Sequence, residues 1–158
     1  MEGSVYKFMK TNKEVRELYY VSSKLFREQL TKYYNDDIMT NELAENIVKI
    51  AEGLSYNWRF INYTKSWRDE MVGDAIVKIY SALEDKKFNI DSTFNPFSYF
   101  NQIAWNAFSN RIKKEKRQHE GLEEYKQMIY ENEMNDSSHG SVYIKPILEH
   151  DSEDSYYE

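Results

Sequence analysis

Apolar residues recur along this chain in steps of three and four, the spacing that lines one face of an α-helix. Residues 12–34 carry Val15, Leu18, Tyr19, Leu25, Phe26 and Leu30 in that manner and run into the turn-forming Asn35-Asp36-Asp37. A first helix is predicted there. Thr40-Asn41-Glu42 then offers a cap for a second helix with Leu43, Ile47, Ile50 and Leu54 on one stripe, blurred at its end by Gly53 and Asn57. A third begins near Thr64-Lys65-Ser66-Trp67, with Ser66 as N-cap and Asp69 at the third helical position, close to a capping box. Its Met71, Val72, Ala75, Ile76, Ile79, Ala82 and Leu83 share one arc, and Glu70, Asp74, Val77 and Ser81 share the opposite side.

The polar stretch 86–93 reads as a linker, and Asn95-Pro96 suits the start of a fourth helix with proline in its first turn. That helix is predicted to run to about Arg117. Phe97, Phe100, Ile103, Ala104, Ala107, Phe108 and Ile112 form its core face; Ser98, Gln102, Asn106, Ser109 and Lys113 form its polar face, and Trp105 sits at the border. With only 5 Gly and 2 Pro and no internal repeat, the fold class expected is all-α. The organisation expected is an N-terminal helical segment over 1–40, a compact helical domain over 41–118 and an acidic, largely disordered tail over 119–158.

Charge sharpens this division. Through Gln118 the chain holds 19 Lys and Arg against 16 Asp and Glu, and from His119 on it holds 2 against 11, so a body of +3 precedes a tail of −9. A nearly neutral body argues against indiscriminate coating of nucleic acid but leaves room for a local phosphate site. No run approaches the ~20 apolar residues of a membrane span. Residues 1–13 lack the pattern of a secretory signal, and the absence of cysteine suits a reducing compartment, so a cytoplasm is expected. His119, His139 and His150 lack metal-ligand spacing, and no phosphate loop or nucleophile motif is present. Neither an enzyme nor a cofactor or metal is expected.

Two features point toward chemistry. Arg111-Ile112-Lys113-Lys114-Glu115-Lys116-Arg117 is the densest basic stretch, and it continues an aromatic-rich helix in a chain that is 16% aromatic. Cations neutralise phosphates, and exposed aromatic rings stack on unpaired bases for ~1–3 kcal/mol each. The plainer reading is a solvated helix end whose cations favour its C-terminal dipole. Tyr99 and Trp105 lie nearer the polar face than the phenylalanines and are the better candidates for base contact. The strip Glu70, Asp74, Val77, Ser81 could be an ordinary wet face, although Val77 in its middle is unusual.

The order of these elements resembles the second conserved region of bacterial sigma factors. An acid-bearing helix (Glu70, Gly73, Asp74, then Ile76 to Leu83) leads through a linker to an aromatic, basic-ended helix (Phe97, Phe100, Ile103-Ala104, Asn106). Within residues 47–117, the blocks Ile50-Ala51-Glu52-Gly53-Leu54-Ser55, Tyr63-Thr64-Lys65-Ser66-Trp67, Asn106-Ala107-Phe108 and Arg111-Ile112-Lys113-Lys114-Glu115 are similar to late-transcription sigma factors of T-even-type phages. That resemblance implies a sigma region 2-like domain acting in the cytoplasm of an infected bacterium. Glu70, Asp74, Val77 and Ser81 would meet the clamp helices of the largest subunit of core RNA polymerase. Tyr99, Gln102, Trp105 and Asn106 would read flipped bases of promoter DNA at a minus-ten-like element, and Arg111, Lys113, Lys114, Lys116 and Arg117 would hold phosphates. After Gln118 there is no helix-turn-helix for an upstream element. Members of that phage family end in an acidic-hydrophobic tail that engages the sliding clamp alongside a coactivator, which would assign clamp binding to Tyr156 and Tyr157. Two other readings compete: a polymerase-binding regulator that never melts DNA, and a helical module for single-stranded nucleic acid.

Overall fold

A computed structural model describes residues 12–135, which form five α-helices and, among the described residues, no strand. These are α1 (Asn12–Leu18), α2 (Ser23–Asp36), α3 (Asn41–Ser55), α4 (Lys65–Glu84) and α5 (Pro96–Asn135). The all-α class expected from the sequence is therefore observed. The chain divides into two units with the boundary between Arg117 and Gln118, and α5 contributes to both.

In the first unit the stripes bury as their spacing dictates. Leu43, Ile47, Ile50 and Leu54 of α3 and Met71, Ala75, Ile79, Ala82 and Leu83 of α4 are all buried, joined by Phe26 and Leu30 of α2 and Phe100, Ala104 and Phe108 of α5. Phe100 meets Phe26 edge-on at 5.6 Å and Phe88 of the α4–α5 linker at 6.0 Å. A phenylalanine so enclosed contributes about 2–3 kcal/mol by burial alone.

The first predicted helix is in fact two. Val21 turns inward between them, and Ser22 is extended (φ −69°, ψ 119°) as the N-cap of α2. Burying a β-branched side chain and starting a new helix at consecutive serines outweighs continuing the old one. α2 is integral to the unit, because Arg27 donates to the carbonyls of Ile90, Ser92 and Phe94 and covers the Phe88 ring, which pins the linker into α5. Where α2 ends, Asp37 adopts a left-handed conformation and pairs at 2.8 Å with Lys86, itself left-handed at the end of α4.

The caps place the remaining boundaries. Thr40 accepts from the Leu43 amide as expected, whereas α4 is capped by Thr64, accepting from the Trp67 amide, and not by Ser66. Thr64 is non-helical (φ −58°, ψ 156°) and Ser66 already lies within the helix, so the former turns its hydroxyl onto the open amides. Asn95 accepts from the Phe97 amide at 2.9 Å ahead of Pro96, as the sequence indicates.

In the second unit α5 continues well past Arg117. Residues 118–135 are helical and exposed, with Lys126 pairing Glu123 at 3.0 Å and Gln127 bonding Glu131 at 3.1 Å. The segment is rich in Glu, with Gln and Met besides, all good helix formers, and has no proline. Local pairs of this kind support a helix without a core.

Candidate functional site

The predicted base-reading helix, the N-terminal half of α5, presents Gln102, Asn106, Ser109 and Lys113 on one polar face, with Gln102 donating to Asn106 at 2.9 Å. Beside them, Trp105 stands edge-on against buried Phe60 at 5.0 Å. Such a pair is worth about 0.5–1.5 kcal/mol and fixes the indole while leaving part of it in solvent. The Arg59 guanidinium lies 5.6 Å from the Trp105 ring centre and 5.0 Å from that of Trp58. Trp58, Arg59, Trp105, Lys113 and Lys116 thereby line one groove of about 700 Å³. Flat aromatic faces beside unpaired cations are what a flexible, single-stranded polyanion needs: stacking for its bases and neutralisation for its phosphates.

Trp58 and Arg59 did not emerge from sequence reasoning. They lie in the turn 56–63 between α3 and α4, where no periodicity marks them, and Trp58 is left 73% exposed. The available signal was composition: the turn is rich in aromatic residues, of which Phe60 enters the core while Trp58 and Arg59 stay outside it.

The predicted set does not stay together. Tyr99 packs against Phe88 and Phe100, each at 5.2 Å, and half-buried there it flanks the core rather than the groove. Lys114 and Arg117 are exposed but do not line the groove. Arg111 leaves the basic cluster altogether. It comes four residues after Ala107 and seven after Ala104, both buried, so it continues the core line of α5 toward α4. There it pairs with Glu70, with Asp74 at 3.3 Å and with Glu115 at 3.6 Å, its own side chain 23% exposed. The Glu70 hydrogen bond holds the Arg111 pKa above the usual guanidinium value against the opposing effect of burial, and the Asp74, Glu70 and Glu115 charges add to it. A side chain expected on phosphate is spent on carboxylates.

Those carboxylates belong to the other predicted surface. On α4, Glu70, Asp74, Val77 and Ser81 share one face opposite Met71, Ala75 and Ile79, and Val77 is 66% exposed in their midst. Gly73 lies on the same side, and a Cβ built there would find nothing within 4 Å. A glycine inside a helix costs about 0.5–1 kcal/mol relative to alanine, and here no neighbour in the fold demands one.

Among the described residues no cluster of His, Asp and Glu could hold a metal ion, and no helix is long and apolar enough to cross a membrane. Tyr156 and Tyr157 lie outside the described residues. Comparison with models of known protein families and with curated proteins finds no match for this chain.

Proposed function

We propose that this chain is a sigma factor for phage late genes, a non-enzymatic adaptor that binds bacterial core RNA polymerase through the outer face of α4 and opens a minus-ten-like promoter element along α5. The observation that carries this reading is the presence, in one unit, of two surfaces that lie outside the core and carry opposite charge. One is an acidic helix face with an exposed valine and an unneeded glycine. The other is a groove of tryptophan, arginine and lysine. Gly73 next to Val77 makes a low, apolar spot between carboxylates, suited to a basic partner helix that approaches closely. The groove favours a base that has left its stack, so strand opening proceeds by trapping: unstacking costs a few kcal/mol, and an aromatic face with phosphate contacts offsets it without ATP. On this reading Trp105, Gln102 and Asn106 face the bases, Lys113 and Lys116 the phosphates, and Tyr99 supports the helix from behind. The tail ending in Tyr156 and Tyr157 would recruit the sliding clamp and a coactivator.

The groove needs no polymerase to be complete, which favours a second reading, a module for single-stranded nucleic acid alone. Run-off transcription with bacterial core polymerase on AT-rich late-type templates separates the two. The proposed function predicts start-site-specific transcripts that are lost with Glu70→Ala/Asp74→Ala through failure to bind core, by about 2–5 kcal/mol if the carboxylates are buried against cations. Binding of core without a specific transcript on any template, with clamp and coactivator supplied, would establish a regulator in its place.

A further inference from the structure

Trp58 forms the wall of a second groove. About 640 Å³ opens between the end of α1, the C-terminal half of α3 and the start of α5, lined among others by Arg16, Tyr19, Lys49, Tyr56, Trp58 and Phe97. The groove is built rather than incidental. Tyr19 and Tyr56 stack with ring centres 5.4 Å apart and planes at 28°, and a Cβ on Gly53 would lie 2.9 Å from the Tyr19 Cβ, so glycine is what lets the end of α1 rest on α3. Burial and the Tyr56 hydrogen bond, with Glu52 nearby, push the Tyr19 pKa up to about 12.

Charge points to the occupant. The chain carries a formal −6, yet among the described residues the two grooves that share Trp58 hold Arg16, Lys49, Arg59, Lys113 and Lys116 in their walls and no carboxylate, the Glu52 charge near Tyr19 lying outside the lining. None of these five cations forms an ion pair with a described residue. A groove beside α2, by contrast, shows the ordinary mixture of Arg27, Lys32, Glu28 and Asp36. Cations left unpaired around exposed aromatic rings, in a protein with acids to spare, match a polyanion that carries flat bases.

We propose that the groove between α1, α3 and Trp58 binds a further stretch of single-stranded DNA, so that one strand runs from Lys113 and Lys116 past Trp105, over Trp58, to Lys49 and Arg16. The proposal rests on the reading of the α5 groove as a DNA site and gives α1 a task of its own. Trp58 then serves both grooves as the shared stacking platform.

The test is the affinity of the full chain for fluorescent oligothymidylates of about 5 and about 15 nucleotides at low ionic strength, lengths that bracket one and several stacked bases. Arg16→Glu/Lys49→Glu should weaken the long oligonucleotide about tenfold or more, flatten its salt dependence by about 1.4 logarithmic units per decade for two lost phosphate contacts, and leave the short one little changed. Lys113→Glu/Lys116→Glu should weaken both lengths, and Trp58→Ala should do so about tenfold. All these positions are partly or fully exposed, so far-UV circular dichroism should be unchanged, and Arg16→Gln/Lys49→Gln gives the same order of effects in milder form. If the Arg16/Lys49 reversal leaves the long oligonucleotide and its salt dependence untouched while the Lys113/Lys116 reversal abolishes binding, the second groove is not part of the track and the reading of α5 stands. If neither reversal matters, both fall. Polyglutamate binding with the affinity of the long oligonucleotide would mean an acidic protein partner and would overturn the proposal.

Discussion

The outer face of α4 and the grooves around Trp58 are built from the same fold yet carry opposite chemistry. On α4, carboxylates surround an exposed valine and a bare glycine; around Trp58, cations surround exposed rings. The overall charge of −6 conceals this division within a body that is nearly balanced. Within this helical unit charge is sorted by surface, and on the proposed function the acidic side would meet a basic protein and the cationic side a polyanion. Arg111 crosses the division, reaching from the basic end of α5 to Glu70 and Asp74.

Arg111 is therefore the residue whose loss perturbs both surfaces most. Arg111→Glu would gather four carboxylates in one spot, with Glu70, Asp74 and Glu115, and is expected to lower stability in urea unfolding by about 2 kcal/mol, a loss that shrinks as salt screens the repulsion. Arg111→Gln, which removes the pairing without adding repulsion, should cost about 1 kcal/mol or less, since the partners are half-exposed. An unchanged urea midpoint for both would show that the two surfaces are not coupled through this residue.

A smaller change sharpens the account of α4. Gly73→Ala should raise the stability of the free chain by about 0.5–1 kcal/mol, because nothing crowds the added methyl group and the helix gains rigidity. If the glycine serves a closely approaching partner helix, the same substitution weakens binding to core polymerase. A variant that is more stable and binds core equally well would remove Gly73 from the docking surface.

Much of the fold was legible because burial follows periodicity directly: Leu43 to Leu54 and Met71 to Leu83 pack where their spacing places them, and Asn95-Pro96 starts α5. The break at Val21 was not legible, since Leu18, Tyr19 and Leu25 keep the helical rhythm across it and only the docking of Tyr19 onto Gly53 and Tyr56 shows why the chain turns. The helix over residues 118–135 was hidden by its acidity, which signals solvation as readily as disorder. At the site, reading Arg111 to Arg117 as one basic surface ignored that a helix deals successive residues to different sides. Trp58 and Arg59 belong to a turn, where pattern carries no information and tertiary contact decides.

On the proposed function the α4 face binds polymerase and the α5 groove opens DNA. The most direct measurement is transcription by the reconstituted holoenzyme from a duplex promoter and from the same promoter with its minus-ten region already unpaired. The account predicts that Trp105→Ala is inactive on the duplex and substantially restored on the unpaired template, whereas Glu70→Ala/Asp74→Ala is inactive on both. Equal defects of Trp105→Ala on the two templates, or rescue of the Glu70/Asp74 variant by unpairing, would contradict it.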